Sequence, residues 1–313
     1  MKPEIVLLKA IYEPTVEALS QHFHIHRSWT AENPVEFLKK YCSNVRAAIS
    51  TTTTEVTRAH FEALPHLELL ACYGPYYTLI DLAAAKSHHV AVTYTPDSTA
   101  EPVADLAMGL IVAVMRRICE ADRFIRSAQW PKKLFPSGFE VRGKTCGIIG
   151  MGRIGCEIAT RAEAFGMKIV YHGPRAKPQL PYPYFSDLFT MAEQTDCLVV
   201  ACALTETTRH LINAKVLKAL GAKGFLVNIS RGLVVDESAL IEALSDGTIA
   251  GAALDVFANE PHVSDLLLQR DNVVLTPHMG TSTLEIREGR SQKLLSDVSA
   301  HFNGKPLTYK VNP

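Results

Sequence analysis

Three residues in the second half of the chain have side chains suited to holding an anion and moving a proton. They are Arg231 in NISRG, Glu260 in NEP and His278 in TPHMG. A guanidinium is a permanent cation whose planar fork matches a carboxylate or a phosphate. An imidazole exchanges a proton near neutral pH, and a carboxylate beside it can fix which ring nitrogen carries that proton. Singly, each has a structural reading: a surface cation, a neighbour of a helix cap, a buried loop histidine. Jointly they point to a site, because each falls at or just after the C-terminal end of a predicted strand, where open α/β sheets bind ligands.

A second group lies upstream. In GIIGMGRIG, the residues Gly150, Gly152 and Gly155 match the spacing GxGxxG, with Arg153 and Ile154 between them. The spacing alone is weak, but TCGIIG supplies a strand before it and CEIATRAEAFG a helix after it. In that setting Gly150 permits the tight turn, Gly152 lets a pyrophosphate approach the backbone, and Gly155 allows close helix–strand contact. The N–H groups and dipole at the helix start favour the anionic phosphates. The next strand, IVYH, ends in His172, Gly173, Pro174 and Arg175, with Lys177 following. An acid at this place would accept from an adenosine ribose 2′-OH and repel a 2′-phosphate. Replacing it with cations reverses the preference, so NADP(H) is expected over NAD(H), with NAD(H) still usable.

These groups need elements to position them. Strand-like runs alternate with helical patterns in two series. The first runs through EIVLL, RAAIST, LELLACY and HVAVTY; the second through KTCGIIG, KIVYH, CLVVACA, GFLVNIS, IAGAALDVF and NVVLTPH. This alternation, with nearly continuous apolar strands, predicts an α/β protein of two Rossmann-like domains with parallel sheets. Between the series, Ser98 or Thr99 can cap a long, mostly buried helix starting near Glu101 and Pro102. Another helical pattern spans Leu284 to Phe302.

Composition narrows the function further. The 313 residues are 47% hydrophobic and 20% charged, with 32 basic and 32 acidic side chains. That balance gives no sign of a nucleic-acid or anionic-membrane partner. The N-terminal apolar run is too short for a signal peptide or a membrane span. Seven cysteines without a CxxC pair indicate neither a zinc site nor a redox motif, and suit a cytoplasmic protein with buried thiols. No metal is expected.

In order along the chain, TPDSTAEPVADLAMGL, GIIGMGRIG, LVNISRGLVVDESALIEAL, GAALDVFANEP and NVVLTPHMGTST make the sequence closely resemble the D-isomer-specific 2-hydroxyacid dehydrogenases. Within them it is most similar to the glyoxylate/hydroxypyruvate and hydroxyphenylpyruvate reductases. The resemblance implies a dinucleotide-binding domain at 99–285 and a substrate domain formed by 1–98 with 286–313. It also implies an active site in the interdomain cleft and a homodimer. The expected reaction is NADPH-dependent reduction of a 2-oxo acid such as hydroxypyruvate, glyoxylate or a substituted homologue. Arg231 would bind the carboxylate and the carbonyl oxygen and stabilise the developing alkoxide. His278 would donate the proton, and Glu260 would stabilise its imidazolium and fix its tautomer. The resemblance further places Asp255 on the nicotinamide carboxamide, Arg153 and Ile154 on the phosphates, and Trp130 near a partner's active site.

One stretch departs from the family. Its substrate loop usually resembles Gly-Val-Gly-x-Asp, whereas CYGPYYTLID keeps Gly74 but has Pro75, Tyr76 and Thr78. Proline has no N–H, so one donor to a carboxylate is lost. Tyr73, Gly74 and Tyr76 are the substrate-binding candidates here, and the change predicts an altered pocket for a substrate larger than glyoxylate. Two other readings remain: an oxidoreductase acting on a non-carboxylate anion, and a non-catalytic, co-repressor-like dinucleotide sensor.

Overall fold

Aliphatic strand runs and helices alternate through both halves of the chain. In the computed structural model, which describes residues 2–97 and 99–311, they form two parallel sheets. The chain divides into two compact units, Met1–Ser98 with Ser282–Pro313, and Thr99–Thr281.

The first unit holds β1 (Glu4–Leu7), β2 (His24–Arg27), β3 (Ala47–Thr51), β4 (Leu69–Tyr73) and β5 (Ala91–Tyr94), in the order β2-β1-β3-β4-β5. Every pair is parallel, and period-2 alternation sends successive residues to opposite faces. Leu69, Ala71 and Tyr73 join one buried cluster, and Leu70 and Cys72 the other. Burial on both faces is why these strands read as unbroken apolar runs. The helix Leu284–Phe302 returns to this unit, with the Thr283 side chain accepting from the Ile286 N–H as its N-cap. The boundary therefore falls at Ser282, four residues before the expected one, because the cap belongs with its helix.

The second unit holds β6 (Thr145–Ile149), β7 (Lys168–His172), β8 (Tyr184–Phe185), β9 (Cys197–Val200), β10 (Phe225–Asn228), β11 (Gly251–Leu254) and β12 (Val273–Leu275). Their order is β12-β11-β10-β9-β6-β7-β8, all parallel. The chain moves outward from β6 to β8 and then returns to the opposite side at β9. Between β6 and β9 the direction of winding reverses, which opens a crevice at the C-terminal strand ends.

The helix Ala100–Met115 packs Ala104, Ala107, Met108 and Ile111 into one of this unit's core clusters, with Ile158 and Ala162 of the helix Arg153–Ala164. Thr99 occupies its N-cap position without a side-chain cap bond, and Ser98 lies outside the described residues. Among the described residues, no helix is long and apolar enough to cross a membrane.

Candidate active site

Gly150 follows β6 at the crevice between β6 and β9. A methyl group on Gly155 would collide with the Gly150 carbonyl oxygen, so the helix can start this close to the strand only with glycine there. Gly152 differs: an added Cβ would meet no protein atom within 4 Å. Protein packing therefore does not require that glycine, whereas a ligand backbone lying on the loop would. The helix Arg153–Ala164 has Gly152 as N-cap and no side-chain cap. Its first N–H groups carry roughly half a positive charge at this end and suit a pyrophosphate. These residues fit a dinucleotide. Cys202 lies against Gly150, and burial pushes its thiol up to about 11, which keeps it uncharged beside the loop.

The turn after β7 is held from several sides. His172 Nδ1 donates to the Phe185 carbonyl at 3.0 Å, and the Tyr184 hydroxyl donates to the Gly173 carbonyl at 3.0 Å. The Lys177 N–H donates to the Tyr171 hydroxyl at 2.7 Å, and its Nζ reaches the Met151 carbonyl in the glycine loop at 2.6 Å. Pro174 and Arg175 are exposed at the tip, and among the described residues Arg175 has no ion pair. A fixed turn thus presents one unengaged guanidinium beside the loop.

Arg231, Glu260 and His278 all lie in the second unit, at loops beyond β10, β11 and β12. Arg231 is exposed, with one guanidinium nitrogen donating to the Ser230 carbonyl at 2.7 Å. Its backbone is fixed by the buried Asn228 side chain. Asn228 Oδ1 accepts from the Ser230 N–H and hydroxyl, and Nδ2 donates to the Arg231 carbonyl at 3.1 Å. Glu260 accepts from the Phe257 N–H at 3.0 Å through Oε1, and Oε2 lies 2.7 Å from His278 Nδ1. A carboxylate can only accept, so Nδ1 carries the proton and Nε2 is the outward nitrogen. Among the described residues Nε2 has no partner, and the His278 side chain is 49% exposed.

His278 has a left-handed backbone, φ 51°. Asp255 accounts for it. Its buried carboxylate accepts from the Thr276 hydroxyl at 2.6 Å, the Met279 N–H at 2.8 Å and the Gly280 N–H at 2.9 Å. Its backbone carbonyl takes the His278 N–H at 2.9 Å. Asp255 therefore holds the histidine's loop from inside. Sequence reading did not assign this function to Asp255, nor the clamp to Asn228; a polar residue ending an otherwise apolar strand is the signal that marks both.

The loop after β4 belongs to the first unit. Tyr73 is buried, and its hydroxyl donates to the Arg287 carbonyl at 3.1 Å. Its side chain is thus committed to the C-terminal helix, which corrects its expected place among substrate contacts. The Gly74 N–H is committed too, to Thr95 Oγ1 at 2.7 Å and the Cys72 carbonyl at 3.0 Å. Gly74 therefore positions the loop and offers no N–H of its own. Burial pushes the Cys72 thiol up to about 11, so its S–H stays on and donates to the Tyr76 carbonyl at 3.2 Å. Tyr76 is exposed, as is Trp130 in the second unit.

Residues 108–280 match the family described as D-isomer specific 2-hydroxyacid dehydrogenase, NAD binding domain. A glyoxylate/hydroxypyruvate reductase A of Arabidopsis thaliana is 43% identical over 293 residues, covering 94% of each chain. A hydroxyphenylpyruvate reductase of Plectranthus scutellarioides is 42% identical over 295 residues, again covering 94% of each. The crystal structure of an NADPH-dependent glyoxylate/hydroxypyruvate reductase from Sinorhizobium meliloti, with NADP and malonate, aligns with a TM-score of 0.81. The two chains are 36% identical, and the alignment covers 99% of this chain and 97% of that one.

Proposed function

Because the chain belongs to the D-isomer specific 2-hydroxyacid dehydrogenase family, we propose that it reduces a small 2-oxo acid, such as hydroxypyruvate or glyoxylate, to the D-2-hydroxy acid, with NADPH preferred. One observation carries the reading: His278 is held by Glu260 at 2.7 Å with Nε2 left open, in the same unit as Arg231 and the dinucleotide loop. A sensor that only binds a dinucleotide has no use for an oriented proton donor.

The bound nicotinamide cofactor supplies the hydride. Arg231 binds the substrate carboxylate with its fork and faces the carbonyl oxygen as negative charge develops there. His278 delivers the proton from Nε2 to that oxygen, and the Glu260 carboxylate stabilises the imidazolium beforehand. Asp255 acts as a positioning residue through the 276–280 loop. Among the described residues its Oδ2 accepts one hydrogen bond, from the Gly280 N–H, and keeps capacity for a carboxamide N–H. Gly150, Gly152, Arg153, Ile154 and Gly155 would hold the pyrophosphate of a bound dinucleotide, and His172, Gly173, Pro174 and Arg175 would lie beside its adenosine ribose. Tyr76, exposed in the first unit, has a flat apolar face and a hydroxyl tip that suit a substituent on a 2-oxo acid.

A homodimer is part of the same proposal. Ile118, Ile125, Trp130 and Leu134 are exposed along one segment of the second unit, with Leu134 at 90%. An apolar run of this kind is the surface that a second copy would cover. The seven free cysteines suit a reducing cytoplasm.

Cofactor choice gives the first test. NADPH should exceed NADH in kcat/KM by at least about tenfold, the value of one charge-assisted contact. Arg175→Ala should shrink that ratio mainly through KM for NADPH. NADPH oxidation followed with each cofactor in parallel measures it, and an NADH preference in the wild type would sink the assignment.

A further inference from the structure

The second strand of the first unit reads HIHR and lies at the edge of its sheet, paired only with β1. Successive side chains of a strand alternate in direction, so His24 and His26 share one face and Ile25 takes the other. Ile25 packs against a buried cluster of this unit, whereas His24 is exposed and His26 half-buried. The two imidazoles meet edge to face, with ring centres 5.0 Å apart and planes at 81°. Glu4 of β1 stands opposite His24 in the parallel register, and its Oε2 lies 3.0 Å from His26 Nε2. Charged side chains alone would guard an edge strand against unwanted pairing. Two imidazoles in contact, one of them held by a carboxylate, go beyond that task.

A carboxylate only accepts, so the Glu4 bond puts a proton on His26 Nε2 and leaves the lone pair to Nδ1. Among the described residues, His26 Nδ1 and both ring nitrogens of His24 have no hydrogen-bond partner. A carboxylate on the far nitrogen is the arrangement that orients a histidine toward a metal ion. Two imidazoles on one ion, with bonds of about 2.0 Å at about 90–110° to each other, put their ring centres about 4.5–5.2 Å apart. The observed 5.0 Å falls in that range, so the strand already spaces the rings for a shared ion.

Among the described residues, no group of three His, Cys, Asp or Glu side chains is placed to hold a metal. The protein therefore offers two nitrogens, and solvent completes the coordination. Cys42, whose thiol feels the Glu4 charge, supplies no third ligand. It is buried, and burial pushes its thiol up to about 11, so the proton stays on.

We infer that His24 and His26 chelate a late first-row divalent metal ion at the edge of the first sheet, with Glu4 as the positioning residue behind His26. Imidazole nitrogens suit zinc, nickel and copper, and the general order of affinities puts copper(II) first. The site stands on residues of one sheet and is independent of the proposed reductase activity.

The test titrates the whole purified chain with copper(II) chloride by calorimetry, with magnesium chloride as the control cation. The tightest copper site should weaken at least about tenfold in His24→Ala and in His26→Ala, since losing a ligand costs no less than losing an outer partner. Glu4→Ala should weaken it about tenfold while the site persists. His22→Ala, which removes a histidine just outside the strand, should leave it unchanged, and magnesium should not bind. A second measurement needs no variant: substoichiometric copper(II) should broaden the imidazole NMR signals of His24 and His26 before those of the other histidines. Copper affinity unmoved by His24→Ala and His26→Ala, or first broadening at other histidines, overturns the inference. So does a wild type that binds copper(II) no better than magnesium.

Discussion

Replacing His278 by alanine is expected to lower kcat for 2-oxo acid reduction by about 10² or more, the usual contribution of a positioned acid. Dissociation of NADPH should change little, because the proposed cofactor contacts, the glycine loop and the turn after β7, do not include this side chain. The expectation follows from how completely the structure fixes the ring. Glu260 takes Nδ1–H at 2.7 Å, the Phe257 N–H anchors Glu260 at 3.0 Å, and Asp255 holds the loop on both sides of the histidine. Ordering this many groups around an exposed imidazole costs conformational entropy, and a histidine with only a structural task would not need its second nitrogen free. Glu260→Gln keeps the size and gives up the charge, so its loss in kcat should be smaller than that of His278→Ala. Stopped-flow turnover with cofactor titration in parallel separates the two terms. Wild-type rates in His278→Ala would return the sensor reading.

Arg231→Gln is expected to cost about 10² to 10³ in kcat/KM, since on the proposed reading one substitution removes both a bidentate carboxylate contact and a donor to the developing alkoxide. The loss should divide between the two constants. KM rises because the carboxylate is bound in the ground state, and kcat falls because the oxyanion contact strengthens only as the hydride arrives. Asn228 clamps the backbone on either side of residue 231 whatever side chain it carries, so the variant should fold with an unchanged thermal midpoint. A change confined to KM would limit Arg231 to substrate binding and leave the alkoxide without its assigned partner.

Much of this site is legible in the sequence, for identifiable reasons. Strands of a parallel sheet buried on both faces are continuous apolar runs, so β6, β7, β9 and β10 stand out, and their C-terminal ends point to Gly150, Arg175 and Arg231. Two of the four edge strands carry no such signal. β2, with the sequence HIHR, has one buried neighbour and polar side chains, and β8 has only two residues. Neither is readable from periodicity.

Residue type also says more about what a side chain can do than about what it is already doing. Asp255 is recognisable as an acid at a strand end, but only the fold shows its carboxylate committed to the 276–280 loop. Tyr73 has a hydroxyl fit for a substrate, yet Arg287, far away in the sequence, takes it. Gly74 stays where a donor is expected, but Thr95 has claimed its N–H. In each case the competing partner comes from a distant part of the chain.

On the proposed reading this chain transfers a hydride from NADPH to one face of a 2-oxo acid, with a proton from His278 completing a D-alcohol. The most direct measurement incubates the purified protein with NADPH and hydroxypyruvate, follows NADPH loss by absorbance, and resolves the product on a chiral column. One NADPH should be consumed for each molecule of product, all of it the D enantiomer, in line with a family defined by that stereochemistry. NADPH left unconsumed in the presence of hydroxypyruvate and glyoxylate alike, or a racemic or L product, would contradict it.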